Sequence, residues 1–94
     1  MATKEITFTV SKSAGVLAYT ISLDGTPRPL GATNKGTFAL ETGKTHSLSW
    51  HFWGEGHSSI SIVGTDAGNE VVKVANAVIP TGGSQDFSGI NFVV

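Results

Sequence analysis

The sequence predicts an all-β domain: a small antiparallel two-sheet β-sandwich of about seven strands, filling residues 1–94 as a single domain. Three observations lead there. Apolar and polar residues alternate with a period of two along most of the chain, the pattern of half-buried strands. Clusters of Gly, Asp, Asn, Pro and Ser interrupt that alternation about every eight to twelve residues. No window places apolar residues at helical spacing that alternation does not explain better. A partly open β-barrel is the alternative architecture.

Residues 4–10 open the pattern, with Ile6, Phe8 and Val10 on the inward side and Thr7 and Thr9 outward. Ser11-Lys12-Ser13-Ala14-Gly15 breaks the run. A second strand over 16–23 is expected to bury Leu17, Tyr19, Ile21 and Leu23. Asp24-Gly25 ends it. The following Thr26-Pro27-Arg28-Pro29 argues against an immediate central strand, because proline lacks the N–H a ladder needs. Residues 24–36 therefore read as a long surface loop with at most a short edge strand.

A third strand over 37–41 carries Phe38 and Leu40 inward, and Thr42-Gly43-Lys44 turns the chain. The next strand, 45–53, is expected to pair antiparallel with 37–41 as a hairpin. Gly54-Glu55-Gly56-His57 forms another turn, and 58–64 a strand with Ile60 and Ile62 inward. After Asp66-Ala67-Gly68-Asn69, residues 70–75 place Val72 and Val74 on one face, with Val71 and Lys73 on the other. Asn76-Ala77-Val78-Ile79 continues or bends this strand, and Pro80-Thr81-Gly82-Gly83-Ser84 is a loop. In the last strand, about 86–94, Phe87 falls on odd parity while Ile90, Phe92 and Val94 fall on even. A β-bulge at Ser88-Gly89 would return all four to one face, and a kink is the plainer alternative.

Charge and composition narrow the function classes. Six Lys and Arg stand against seven Asp and Glu. The asymmetry is mild: residues 1–47 carry five basic and three acidic groups, and 48–94 one basic and four acidic. Such a balance offers no basic patch for a nucleic-acid backbone and too little charge for an anionic membrane surface. No stretch has the apolar length of a membrane-inserted helix. There is no cysteine, so disulfides cannot compensate for a thin core. The start, Met1-Ala2-Thr3-Lys4-Glu5, lacks the apolar run of a signal peptide, and the expected location is cytoplasmic or reached by non-classical export.

The segment Ile21-Ser22-Leu23-Asp24-Gly25, a proline-bearing loop, and then residues 38–48 through the Gly43-Lys44 turn resemble the rhythm of PEGA-type domains. The likeness covers about a third of the chain and extends to the immunoglobulin-like and prealbumin-like small sandwiches. The family's Pro-Glu-Gly-Ala signature is absent. The resemblance implies a surface or envelope interaction module without catalysis.

Residues 45–57 hold both tryptophans and all three histidines. His46, Leu48, Trp50 and Phe52 share one face and read as core; Ser47, Ser49, His51 and Trp53 share the other. Trp53 is the leading candidate ligand-binding residue, with His51 beside it and Glu55 and His57 in the following turn. An indole at a strand end can stack on a sugar ring or anchor a partner protein. The structural alternative is that Trp53 covers an open end of the core.

His46 and His51 lie on opposite faces of a regular strand, and His57 lies beyond a glycine turn, so no metal centre is expected from them. Glu55 near His57 could move a proton, but no nucleophile or second acid stands at a motif spacing. Neither an enzyme nor a cofactor is expected. Asp66, Asn69 and Glu70 read as turn residues rather than calcium ligands.

The C-terminal Ile90-Asn91-Phe92-Val93-Val94 is apolar to its last residue, and small sandwiches have unpaired edges. Self-association as a homodimer or larger oligomer is therefore expected, with Val71, Val93 and Trp53 as a candidate patch. The composite expectation is a non-enzymatic binding or structural module that self-associates. The alternative is a small lectin-like protein using Trp53, His51, Glu55 and His57.

Overall fold

A computed structural model describes residues 2–31 and 33–94. Ala32, inside the expected 24–36 loop, lies outside the described residues. Eight strands follow in order: β1 (Thr3–Lys12), β2 (Val16–Leu23), β3 (Thr26–Pro27), β4 (Lys35–Glu41), β5 (Thr45–Gly54), β6 (Ser59–Asp66), β7 (Asn69–Val78) and β8 (Gln85–Val93). They form two four-stranded antiparallel sheets, ordered β4-β1-β6-β7 and β3-β2-β5-β8. Among the described residues no ladder joins the sheets, so the fold is a two-sheet sandwich and not a closed barrel.

The core is built as alternation requires. Ile6 and Phe8 of β1 and Ile60 and Ile62 of β6 face Ile21, Leu48 and Phe52 of the opposite sheet, all buried. Gly64 makes room for the largest of these. A Cβ there would lie 2.6 Å from Val72 Cγ1 and 3.0 Å from Phe8 Cε1, so glycine lets the Phe8 ring lie against β6 and β7. The β6–β7 hairpin turns through Ala67 (φ 49°) and Gly68 (φ 88°), the backbone of a two-residue turn whose twist matches the strands.

The fold corrects three expectations. First, β4 and β5 are not a hairpin. β4 pairs with β1, whereas β5 pairs with β2 and β8. Thr42-Gly43-Lys44 instead carries the chain across from one sheet to the other. Gly43 N–H donates to the Val94 carbonyl at 3.0 Å, and Thr42 N–H to that of Ala2 at 3.1 Å. Alternation reveals which face of a strand is buried, but both sheets bury a face in the same core. It therefore does not choose between a hairpin and a crossing.

Second, Leu17 is 80% exposed, while Val16 is buried. The β2–β5 register shifts between Val16 and Ala18, and this irregularity turns Leu17 outward. Third, β8 has no bulge. Its pairing with β5 is regular from Thr45↔Val93 to Trp53↔Gln85, so Phe87 stays outside and is 71% exposed. The short edge strand allowed for within residues 24–36 is β3, two residues long, which Asp24 (φ 52°) and Gly25 (φ 81°) join to β2 by a tight hairpin. Pro27 is tolerated there because only one neighbour is needed. β7 runs on through residues 76–78 to Val78, and Val74 is only half-buried.

Candidate functional site

The outer face of the β2-β5-β8 sheet is organised in rows. Register places Ala18, Trp53 and Gln85 side by side, then Thr20, His51 and Phe87, then Ser22, Ser49 and Gly89. Large rings thus fill the first two rows and small residues the third. The His51 and Trp53 ring centroids are 4.0 Å apart at 34°, and Phe87 meets His51 edge-on at 5.5 Å. His51 Nε2 lies 2.8 Å from Gln85 Oε1, which fixes the imidazole in its plane.

Beyond this aromatic step lies a shallow groove of about 410 Å³. Thr20, Ser22 and Ser49 supply hydroxyls, His51 and Phe87 form its aromatic side, and Trp50 and Ser88, whose ladder pairing turns their side chains to the other face, complete its lining. Gly89 keeps the groove open: a Cβ there would stand 3.4 Å from Ser49 Cβ and 3.1 Å from the Leu48 carbonyl. The volume is within the range of small-molecule sites, roughly 300–1,000 Å³.

The structure brings together two of the four expected ligand residues, His51 and Trp53. Trp53 is half-buried, packed on the His51 ring on the outer sheet face rather than under the core. Glu55 and His57 are held elsewhere. Glu55 N–H donates to the Gly15 carbonyl at 3.1 Å, and among the described residues its carboxylate has no hydrogen bond. His57 (φ 69°) stands against the loop after β7, its Nε2 3.1 Å from Thr81 Oγ1. Phe87 and Gln85 were missing from the sequence-derived set. An unbroken parity along β8 would have supplied both.

His46 is the other polar centre of the β5 strand, and it is only 5% exposed. Its Nε2–H donates to the Glu41 carbonyl at 2.8 Å, and its Nδ1–H to Asp24 Oδ2 at 2.7 Å. Asp24 Oδ1 in turn accepts the Ser47 N–H at 2.9 Å. Two acceptors on two ring nitrogens favour the doubly protonated imidazolium. The Asp24 hydrogen bond first, and the Glu41 carbonyl second, raise the His46 pKa above its ordinary 6.5, against the opposing effect of burial. The same bond from His46, then that from Ser47, lowers the Asp24 pKa below 3.8.

The three histidines therefore have three separate partners: Asp24, Gln85 and Thr81. Among the described residues no three His, Asp or Glu side chains are placed to share a metal ion. The expected Val71, Val93 and Trp53 patch is also divided. Val71 belongs to the β4-β1-β6-β7 sheet, and Trp53 and Val93 lie toward opposite ends of the β5–β8 pair.

Comparison with protein-family models, curated proteins and solved structures finds no match.

Proposed function

We propose that this chain is a non-enzymatic binding module whose binding face is the outer surface of β2, β5 and β8, and that its ligand is a glycan. One observation carries the reading: the step formed by Trp53, His51 and Phe87 borders a groove lined with three outward-facing hydroxyls. Sugars present apolar ring faces and many hydroxyls, so a ring step beside short polar side chains matches their chemistry. Gln85 holds His51 through an amide, which neither supplies nor removes a proton at neutral pH. That supports binding rather than acid–base work. The PEGA-like rhythm agrees with an interaction module. Glu55 and His57 enter this reading only as groups beyond the groove, on the turn after β5.

A glycan array followed by tryptophan-fluorescence titration tests it. Saturable quenching by an array-positive sugar, lost in Trp53→Ala and Phe87→Ala, is expected. Absence of any array signal would remove the glycan assignment.

A second reading, self-association, is favoured by the exposure of Phe87 and Val93, the latter 56% exposed, on the edge strand β8. An open edge with apolar side chains is a template for a second copy. Size-exclusion chromatography with light scattering decides it, and a strict monomer at millimolar concentration would exclude it.

A further inference from the structure

A second cavity lies on the other side of β2, away from the aromatic face. β3 covers only Ser22 and Leu23 of β2, so the strand's outer edge from Ala18 to Ile21 is left to the segment that follows β3. That segment is anchored at both ends. Arg28 N–H donates to the Ile21 carbonyl at 2.9 Å, and Val10 N–H to the Asn34 carbonyl at 2.9 Å. Tyr19 adds a bond from its hydroxyl to Asn34 Oδ1 at 2.7 Å. Between the segment and the strand is a space of about 430 Å³.

Its lining divides by chemistry. Ile21, Pro27, Pro29 and Leu30 make apolar walls, while Lys12 and Arg28 bring two cations. No carboxylate is among the lining residues. Lys12 forms no ion pair among the described residues. The Arg28 guanidinium carbon sits 5.4 Å above the Phe38 ring centroid, which restrains the fork. Its Nε is buried and has no hydrogen-bond partner among the described residues. A buried, unpaired donor on a permanent cation is unfavourable by itself and is relieved by an acceptor. Asn34 Oδ1 is taken by Tyr19, which leaves the Asn34 amide nitrogen as a further donor.

We propose that this cavity binds a small molecule with an anionic head and an apolar body. Arg28 and Lys12 hold the anion, and Ile21, Pro27, Pro29 and Leu30 enclose the body.

The probe for the test is 8-anilinonaphthalene-1-sulfonate, with uncharged N-phenyl-1-naphthylamine as control. Fluorescence titration gives the affinity, and ¹⁵N–¹H correlation spectra locate the site and confirm that each variant is folded. One saturable site is expected, with shifts at Tyr19, Ile21, Arg28 and Leu30. Arg28→Met and Lys12→Met should each weaken binding about tenfold, the scale of one lost charged hydrogen bond. Arg28→Lys should retain more affinity than Arg28→Met, and the uncharged control should bind at least about tenfold more weakly. The proposal is overturned by absence of saturable binding, by shifts centred on His51 and Phe87, or by equal affinity for the uncharged control. Unchanged affinity in Lys12→Met, a substitution at an exposed side chain, overturns it even if Arg28→Met does not fold.

Discussion

His46 Nδ1 and Asp24 Oδ2 are 2.7 Å apart, joining the start of β5 to the turn after β2. The bond lies where the chain crosses between sheets, because the other ring nitrogen of His46 holds the Glu41 carbonyl at the end of β4. One buried imidazolium thus ties β2, β4 and β5 together. It also rests against the aromatic core: its ring is 5.7 Å from that of Phe92 and tilted 35° to it.

This pair makes stability depend on pH from both sides. His46 has a raised folded pKa, so its contribution is complete below 6.5, its unfolded value, and fades as pH rises through the folded one. Asp24 has a lowered folded pKa, so its contribution is complete above 3.8 and fades as pH falls through the folded one. Both are fully present between those two ordinary values. Lys44, nearby, opposes the His46 shift without reversing it. Asp24→Asn keeps a side chain suited to the positive φ and should lower stability by about 1–2 kcal/mol at pH 5 to 6, modest because Asp24 is half-exposed. Urea unfolding across pH 3–9 checks this: the gap between wild type and variant should narrow toward both ends.

The two tryptophans should separate cleanly. Trp50 is 7% exposed, and Trp50→Ala should cost about 3–5 kcal/mol. Its Nε1 is buried without a partner among the described residues, so Trp50→Phe removes an unsatisfied donor along with some volume and should cost clearly less. Trp53, on the outer face, should cost less than about 2 kcal/mol on truncation to Ala. Denaturant midpoints measured on the three variants test the face assignment. Equal losses at Trp50 and Trp53 would contradict it.

The register shift in β2 gives a second contrast. Leu17→Ser should leave stability within about 0.5 kcal/mol of wild type, because the side chain projects into solvent. Val16→Ala removes buried methyl groups and should cost about 1–3 kcal/mol. Thermal unfolding of both proteins is sufficient to decide.

These two positions mark what the sequence could and could not reveal. Period-two alternation identified the strands and the inward faces of β1, β5 and β6, since the extra residues at the ladder irregularities fall on β2 and β7 and leave the parity of these three strands unbroken. It failed at Leu17 because an irregularity shifts parity without any glycine or proline to announce it. At Phe87 the error ran the other way: an apolar side chain was moved to the core by an invoked bulge, although regular pairing leaves it outside. The β4–β5 crossing was misread because a Thr-Gly-Lys turn suits a hairpin and a crossing alike. The His51–Trp53 part of the site was legible from parity on one strand. Phe87 and Gln85 come from a neighbouring strand some thirty-odd residues away, about 34 from His51 to Gln85, and only the ladder places them.

Gly89 offers a variant that acts on the groove alone. Gly89→Thr adds a branched side chain beside Ser49 and should abolish glycan binding while changing stability by no more than about 1 kcal/mol. The Leu48 carbonyl oxygen, 3.1 Å from the new Cβ, lies close enough to need a small adjustment, which unfolding curves will register. Retained binding would place the ligand elsewhere on the sheet.

The most direct measurement is a ¹⁵N–¹H correlation titration of the intact protein with array-positive oligosaccharides. Saturable shifts are expected at Thr20, Ser22, Ser49, His51, Phe87 and Gly89, with the indole N–H of Trp53 moving in step. Shifts confined to other strands, or none with any sugar of the panel, would contradict a glycan-binding face on β2, β5 and β8.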